Sequence, residues 1–308
     1  MITSKILSVV NLSCFRDLIY IIRQRNLDIQ ARKTFVDLMN QKSKSLGMNN
    51  THWINPSGLG ENGVYSMSTA RDLALMGVHA YQNEFLRQIW STREYDVNIL
   101  RPYLPFVYKS RKLHIVTTVQ SHELETHYPI LGGKTGAGDG FNNLVLITKM
   151  PKHFPNSLLS VSIMGAESES ERFIAIKEVL DFLSSSSETN LGLDLNFKHC
   201  KSACVFSFST TDCSPKCLLE YNADNKAPTM SVAKLMSMMV YLDYKLNIDD
   251  NITIHPYDIE NAILCSGPYF CSWQKVKLVD IIYAVLLPSS CQAANVIARL
   301  IGELNYKK

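Results

Sequence analysis

The stretch MSVAKLMSMM, residues 230–239, sets Ser231 and Lys234 three positions apart in a segment that is apolar almost all round. On a helix that spacing puts the two side chains on one face, a turn apart, and a helix apolar on every side is a buried one. A serine hydroxyl becomes a useful nucleophile when a base takes its proton. Lysine can be that base if burial and a second cation lower its pKa from about 10.4 toward neutrality. The helix start would also direct backbone NH groups at a developing oxyanion. By itself, SxxK occurs by chance in most chains of this length and reads as a structural helix.

A second stretch, GGKTGAGDG at residues 132–140, comes well upstream. Lys134, Thr135 and Gly136 precede the apolar run LVLIT (144–148), so a cation and a hydroxyl can hold a carboxylate there. Gly136 leaves room for a peptide backbone to lie along the strand edge. A third stretch, LLPSSCQAANVIARLIG (286–302), puts Ser289 and Cys291 on a loop between two helices. Taken singly, a lysine near a turn is usually just solvated, and a serine loop between helices is a plain connection.

The 308 residues can bury a substantial core, as one large domain or two small ones. Hydrophobic residues at 46% and charged ones at 19% describe an ordinary globular chain. A net charge of +3, read as evenly spread, argues against a nucleic-acid partner. Near the N-terminus, Lys5 is followed by ILSVVNLSCF, which has the length of a signal-peptide core. Arg16, Asp17 and Arg23 interrupt the apolar residues beyond it, with no small-residue cleavage site and no run long enough to span a bilayer. Residues 1–33 therefore read as an N-terminal extension, mainly an amphipathic helix, and leave the localisation unknown. Of eight cysteines, Cys200, Cys204, Cys213 and Cys217 cluster beside His199. Their CxxxC spacing is not that of a zinc ribbon, so they read as unpaired or disulfide-linked thiols in a hairpin, and no metal is assigned.

Phe35, Leu38, Met39 and Leu46 recur at helical spacing, as do Leu73, Met76 and Ala80 after the turn-rich NPSGLGENG (55–63). LVLIT and LLSVSIM (158–164) read as adjacent strands, and Phe173, Ile176, Val179, Leu180 and Leu183 as one stripe of a helix. SSSSETNLGLDLNFK (184–198) is the best linker in the chain. Beyond it come ACVFSF and CLLEY, a hairpin turning at TDCSPK, then the helix from Ser231 and a last helical pair, Val279–Leu287 and Gln292–Ile301. The expected fold class is α/β, in the α+β sense, with a mainly antiparallel sheet flanked by helices.

At this point the chain resembles the D-alanyl-D-alanine carboxypeptidases, low-molecular-mass penicillin-binding proteins of the serine β-lactamase and transpeptidase superfamily. The resemblance rests on FVDLMNQKSKSLGMNNTHWINPSGL (35–59), YSMSTARDLALM (65–76), GGKTG (132–136), LLEYNADNKAPTMSVAKLM (218–236) and LVDIIYAVLLPSSCQAANVIARLIG (278–302). In that family SxxK comes first, then SxN, then the NPxGL region, then KTG. Here the last two come first, so the order is circularly permuted. Residues 34–185 resemble the family's second half and 203–308 its first half, with 186–202 as a linker. Together they would make one peptidase domain. The same letters also fit a piece of a tandem array, whose halves could pair between chains as a domain-swapped homodimer.

The resemblance implies a serine-type D-Ala-D-Ala carboxypeptidase that acts on peptidoglycan stem peptides without a cofactor and is inhibited by β-lactams. It would work in the extracytoplasmic cell envelope, with any membrane attachment coming from residues 1–33. Ser231 would be the acylated nucleophile, Lys234 its general base and Ser289 the proton relay to the leaving D-alanine. Lys134 and Thr135 would bind the terminal carboxylate beside Gly136, and the NH groups of Ser231 and Ala137 would form the oxyanion hole. Cys291 stands where the family usually has Asn, and a thiol is a far weaker hydrogen-bonding group than an amide. Together with the permuted order and the unclear export signal, that departure motivates one alternative, a catalytically silent stem-peptide-binding or structural protein; a β-lactamase or esterase is a third reading.

Overall fold

Leu144 and Leu146 pack into one apolar core while Val145 and Ile147 pack into another. This two-residue alternation marks a strand covered on both faces. The computed structural model describes residues 2–104, 107–150, 152–185, 196–210, 214–260, 262 and 266–306, with side chains of the first helix from residue 23. The elements run α1 (Ile2–Ser45), β1 (Met67–Ser68), α2 (Ala70–Gln82), α3 (Glu84–Trp90), β2 (Glu94–Leu104), β3 (Val107–Val116), α4 (His122–Glu125), β4 (Gly132–Gly138), β5 (Phe141–Lys149), β6 (Leu158–Ala166) and α5 (Glu171–Ser185). They continue with β7 (Ser202–Phe208), β8 (Lys216–Tyr221), β9 (Ala227–Pro228), a 3-10 turn (Met230–Val232), α6 (Ala233–Tyr241), β10 (Asn251–Thr253), α7 (Pro256–Ile259), β11 (Lys275–Lys277), α8 (Leu278–Leu286) and α9 (Cys291–Tyr306).

The central sheet has the order β4-β5-β6-β7-β8, antiparallel throughout, and draws strands from both sides of the 186–202 segment. The joining ladder runs from Leu158 opposite Phe208 to Met164 opposite Ser202. One face carries α5, whose buried Ala175, Ile176, Val179, Leu180 and Leu183 meet Leu144, Leu159, Val161 and Val205. On the other face lie α2 and the buried helices α6, α8 and α9. The α/β class with a mainly antiparallel sheet and flanking helices is thus what the chain forms. A second sheet, β10-β11-β2-β3, stands beside it, and the short pair β1-β9 ties Met67 to Pro228.

Helix α1 runs through the division read at residue 33 and continues unbroken to Ser45. Its buried stripe of Asp28, Ala31, Phe35, Met39 and Ser43 has the 3–4 residue spacing of one helix face. The stripe seats on α9, where a Cβ at Gly302 would overlap the backbone carbonyl of Ala31. Most of the linker, 186–195, lies outside the described residues. Its last part is packed: Phe197 is buried edge-on between Phe182 and Tyr221, and Glu178 accepts from the Lys198 and His199 NH groups.

The CxxxC pair also separates. Cys200 joins the α5 side of the sheet and Cys204 the α2 side, where its sulfur lies 4.0 Å from that of Cys217. Cys213 is outside the described residues.

If Gly302 is what lets α9 close on α1, Gly302→Val forces the two helices apart and lowers stability by about 1–3 kcal/mol. Urea unfolding measures this, and an unchanged midpoint would show that the close approach contributes nothing.

Candidate active site

Strand β9 leads through Thr229 into the 3-10 turn, and α6 follows directly. The turn is fixed from several sides. Thr229 NH donates to the Ser66 carbonyl (2.9 Å), and Asn143 Nδ2 donates to the Pro228 carbonyl (2.9 Å). Asn143 Oδ1 meanwhile accepts from Gly165 NH at 3.0 Å, so one buried amide ties the turn to β5 and β6. Met230 holds φ +49°, a left-handed conformation that costs of order 1 kcal/mol for a side chain of this size. Strand β4 lies against the turn. A Cβ at Gly136 would stand 2.7 Å from Thr229 O and 3.1 Å from Ser231 N, so only glycine allows this approach.

Ser231 and Lys234 meet as their spacing predicts. Lys234 Nζ lies 2.8 Å from Ser231 Oγ and donates to the Ser57 carbonyl at 2.8 Å. That carbonyl belongs to the NPSGL loop, which Asn55 shapes by accepting from Gly58 NH (2.7 Å) and donating to the Leu59 carbonyl (2.7 Å). Ser237 Oγ, a turn further along α6, donates to the Pro56 carbonyl. Loop and helix are therefore clamped together at Lys234 and again one turn later at Ser237.

A second serine–lysine pair faces the first. Lys134 Nζ donates to Ser289 Oγ and to the Thr135 carbonyl, each at 2.8 Å. Ser289 sits in the α8–α9 connection with φ +69°, and Ser290 caps α9 by accepting from Ala293 NH at 3.2 Å. Thr118 joins the cluster, its hydroxyl 2.7 Å from that of Thr135 and its NH bonded to the Leu287 carbonyl. Cys291 is the first residue of α9 rather than a loop residue, and it is buried.

Lys134 and Lys234 are both fully buried, and Ser231 is half-buried. Burial pushes the Lys134 pKa well below 10.5, and the charges of Lys234 and Arg172 push it further in the same direction. The Cys291 thiol acts weakly against them. Arg172, at the start of α5, carried no motif in the sequence. It is 4% exposed, and its Nη2 meets Glu169 at 3.1 Å, whereas Nε and Nη1 find no hydrogen-bond partner among the described residues. Arg172, Thr118, Asn143 and the Ser57 carbonyl are the members of this cluster that sequence reasoning missed.

Among the described residues, the group of His, Asp and Glu close enough to share a cation, Asp28, His255 and Glu303, lies between α1, α7 and α9, apart from these residues. Arg299 already approaches Glu303 at 3.5 Å there. The two serine–lysine pairs can supply a nucleophile, a proton acceptor and positive charge.

Residues 30–165 match the family model described as D-alanyl-D-alanine carboxypeptidase. The chain is 30% identical over 160 residues to the D-alanyl-D-alanine carboxypeptidase DacF of Bacillus subtilis, an alignment covering 52% of this chain and 37% of that protein. It is 42% identical over 76 residues to a D-alanyl-D-alanine endopeptidase of Escherichia coli, 24% of each chain. A D-alanyl-D-alanine endopeptidase of Pseudomonas aeruginosa is 43% identical over 61 residues, 20% of this chain and 18% of that one. These alignments span well under half of each relative, and no solved structure matches the chain. The match contains Lys134, Thr135 and Gly136, while Ser231, Lys234 and Ser289 lie beyond it. The resemblance drawn from the motifs is therefore met by the family model itself, and residues 30–165 are similar to the D-alanyl-D-alanine carboxypeptidases.

Proposed function

We propose that the chain is a serine-type D-alanyl-D-alanine peptidase of peptidoglycan stem peptides, with residues 34–185 and 203–308 acting as one peptidase domain. The observation that carries this reading is the pair of buried lysines, each 2.8 Å from a serine hydroxyl, gathered where β4 meets the start of α6. Ser231 Oγ attacks the carbonyl of the penultimate D-alanine while Lys234 takes its proton. The oxyanion forms against the NH groups of Ser231 and Ala137, a role supported by the close approach of Gly136, the neighbour of Ala137, to the Ser231 NH. Ser289 passes a proton to the leaving amine, D-alanine departs, and water hydrolyses the acyl-enzyme. A β-lactam carbonyl undergoes the same attack.

The terminal carboxylate of the substrate meets the hydroxyls of Thr135 and Thr118, and Arg172, whose guanidinium is paired with Glu169 through Nη2 alone, adds positive charge. Lys134 is covered, so it acts from beneath by holding Ser289 rather than as an open cation. Cys291, the first residue of α9, is buried, and its thiol is a far weaker hydrogen-bonding group than the Asn usual at this position in the family.

Release of D-alanine from a peptide ending in D-Ala-D-Ala tests the assignment. Ser231→Ala abolishes turnover, and Lys234→Met lowers kcat/KM by about 10²–10⁴-fold as expected for loss of a general base. Release by Ser231→Ala at the parent rate would refute it.

The state of Lys134 has its own signature. With its pKa depressed in the folded chain, the unfolded chain binds more protons between that value and 10.5, so folding stability rises with pH across this window. Relative to Lys134→Met, the parent gains stability as pH goes from about 7 to about 10. Parallel urea-unfolding curves at all pH values would contradict a depressed Lys134.

A further inference from the structure

The even spread of charge read from composition does not survive folding. Residues 97–122 hold Arg101, Lys109, Arg111 and Lys112 and no Asp or Glu. These cations fall on the ribbon of β2 and β3, with β3 at the edge of its sheet. The ribbon starts inside the molecule, where Val97, Ile99 and Ile115 are buried, and then leaves it, so that residues 107–112 are exposed on both faces. Arg101 is the direct cross-strand partner of Lys109, and like charges so placed repel. The nearest acids in the chain, Glu94 and Asp96, are turned to His114 at 3.5 and 3.0 Å. Among the described residues the four cations have no carboxylate within ion-pair distance.

Apolar groups share the ribbon. Tyr103 is 58% exposed, Val107 47% and Tyr108 39%. The Lys109 ammonium lies 3.5 Å from the centre of the Tyr103 ring, and Lys275, from neighbouring β11, lies 4.9 Å from that of Tyr108. A soluble polyanion would satisfy the cations and leave these side chains in water. Cations interleaved with tyrosines and an aliphatic side chain on a projecting element suit a lipid–water interface, where rings sit at headgroup depth and cations meet phosphate.

We infer that the β2–β3 ribbon docks on an anionic phospholipid surface. Its base continues into Thr118, which bonds the Leu287 carbonyl and Thr135, so docking would fix the orientation of the Ser231 cluster relative to the membrane. This contact is separate from residues 1–33, and it stands whether or not the chain turns over stem peptides.

The test is co-sedimentation of the full chain with vesicles of phosphatidylglycerol mixed with phosphatidylcholine, beside pure phosphatidylcholine. The expected result is binding to the anionic vesicles alone, weakened in about 0.5 M salt. Combined Lys109→Gln, Arg111→Gln and Lys112→Gln should lower partitioning about a hundredfold, and Tyr103→Ser with Tyr108→Ser should lower it at either salt concentration. Circular dichroism checks that the variants stay folded. Three results would overturn the inference. The first is no binding to anionic vesicles, which would leave the cations as guards against edge-to-edge strand pairing. The second is binding that the triple variant does not change. The third is competition by soluble polyphosphate together with unchanged binding by the tyrosine variant, which would make a polyanion the partner.

Discussion

Two lysines, Lys134 and Lys234, are wholly removed from water, and among the described residues neither has a carboxylate to pair with. Holding two ammonium groups in such a place is costly, and a buried lysine commonly answers by giving up its proton. Lys134 is pushed that way by burial and by the charges of Lys234 and Arg172. What makes the arrangement tenable is that each amine meets one serine hydroxyl and one backbone carbonyl, from Ser57 and Thr135. Four segments must therefore converge: the NPSGL loop, β4, the turn into α6, and the α8–α9 connection. The rest of the fold can be understood as the framework that brings these segments together.

The chain order of those segments matters less than their contacts. β4 belongs to the first part of the chain and α6 to the second, yet they meet at Gly136 because β6 and β7 lie side by side in one sheet and β1 pairs with β9. The α1–α9 contact at Gly302 joins helices from the two parts of the chain on the helical side. A permuted order of motifs is compatible with such a site wherever these junctions form within one chain.

Much of the framework was legible from periodicity alone. The Phe35–Leu46 and Leu73–Ala80 stripes, the strands at 144–148 and 158–164, and the α5 stripe depend on local spacing, which the sequence displays directly. SxxK was legible for the same reason, since three residues on a helix settle a contact. The rest depends on long-range or non-regular geometry. The Ser57 carbonyl has no side-chain signature. Arg172 and Asn143 act through contacts with residues far away in sequence, and Met230 and Ser289 adopt positive φ without being glycine. Cys200 and Cys204, four apart, would share a face within a strand, but β7 begins at Ser202 and they fall on opposite sides of the sheet. The division at residue 33 marks where resemblance to relatives begins, whereas α1 runs through it and buries Asp28 and Ala31, the latter against α9.

The central claim is that one copy of this chain assembles a working acylation site around Ser231. Intact-mass spectrometry of the isolated monomer after incubation with penicillin, beside Ser231→Ala, tests it most directly. The account predicts a single penicilloyl adduct on the parent and none on the variant. A folded monomer that remains unmodified, or a variant that acquires the same adduct, would contradict it.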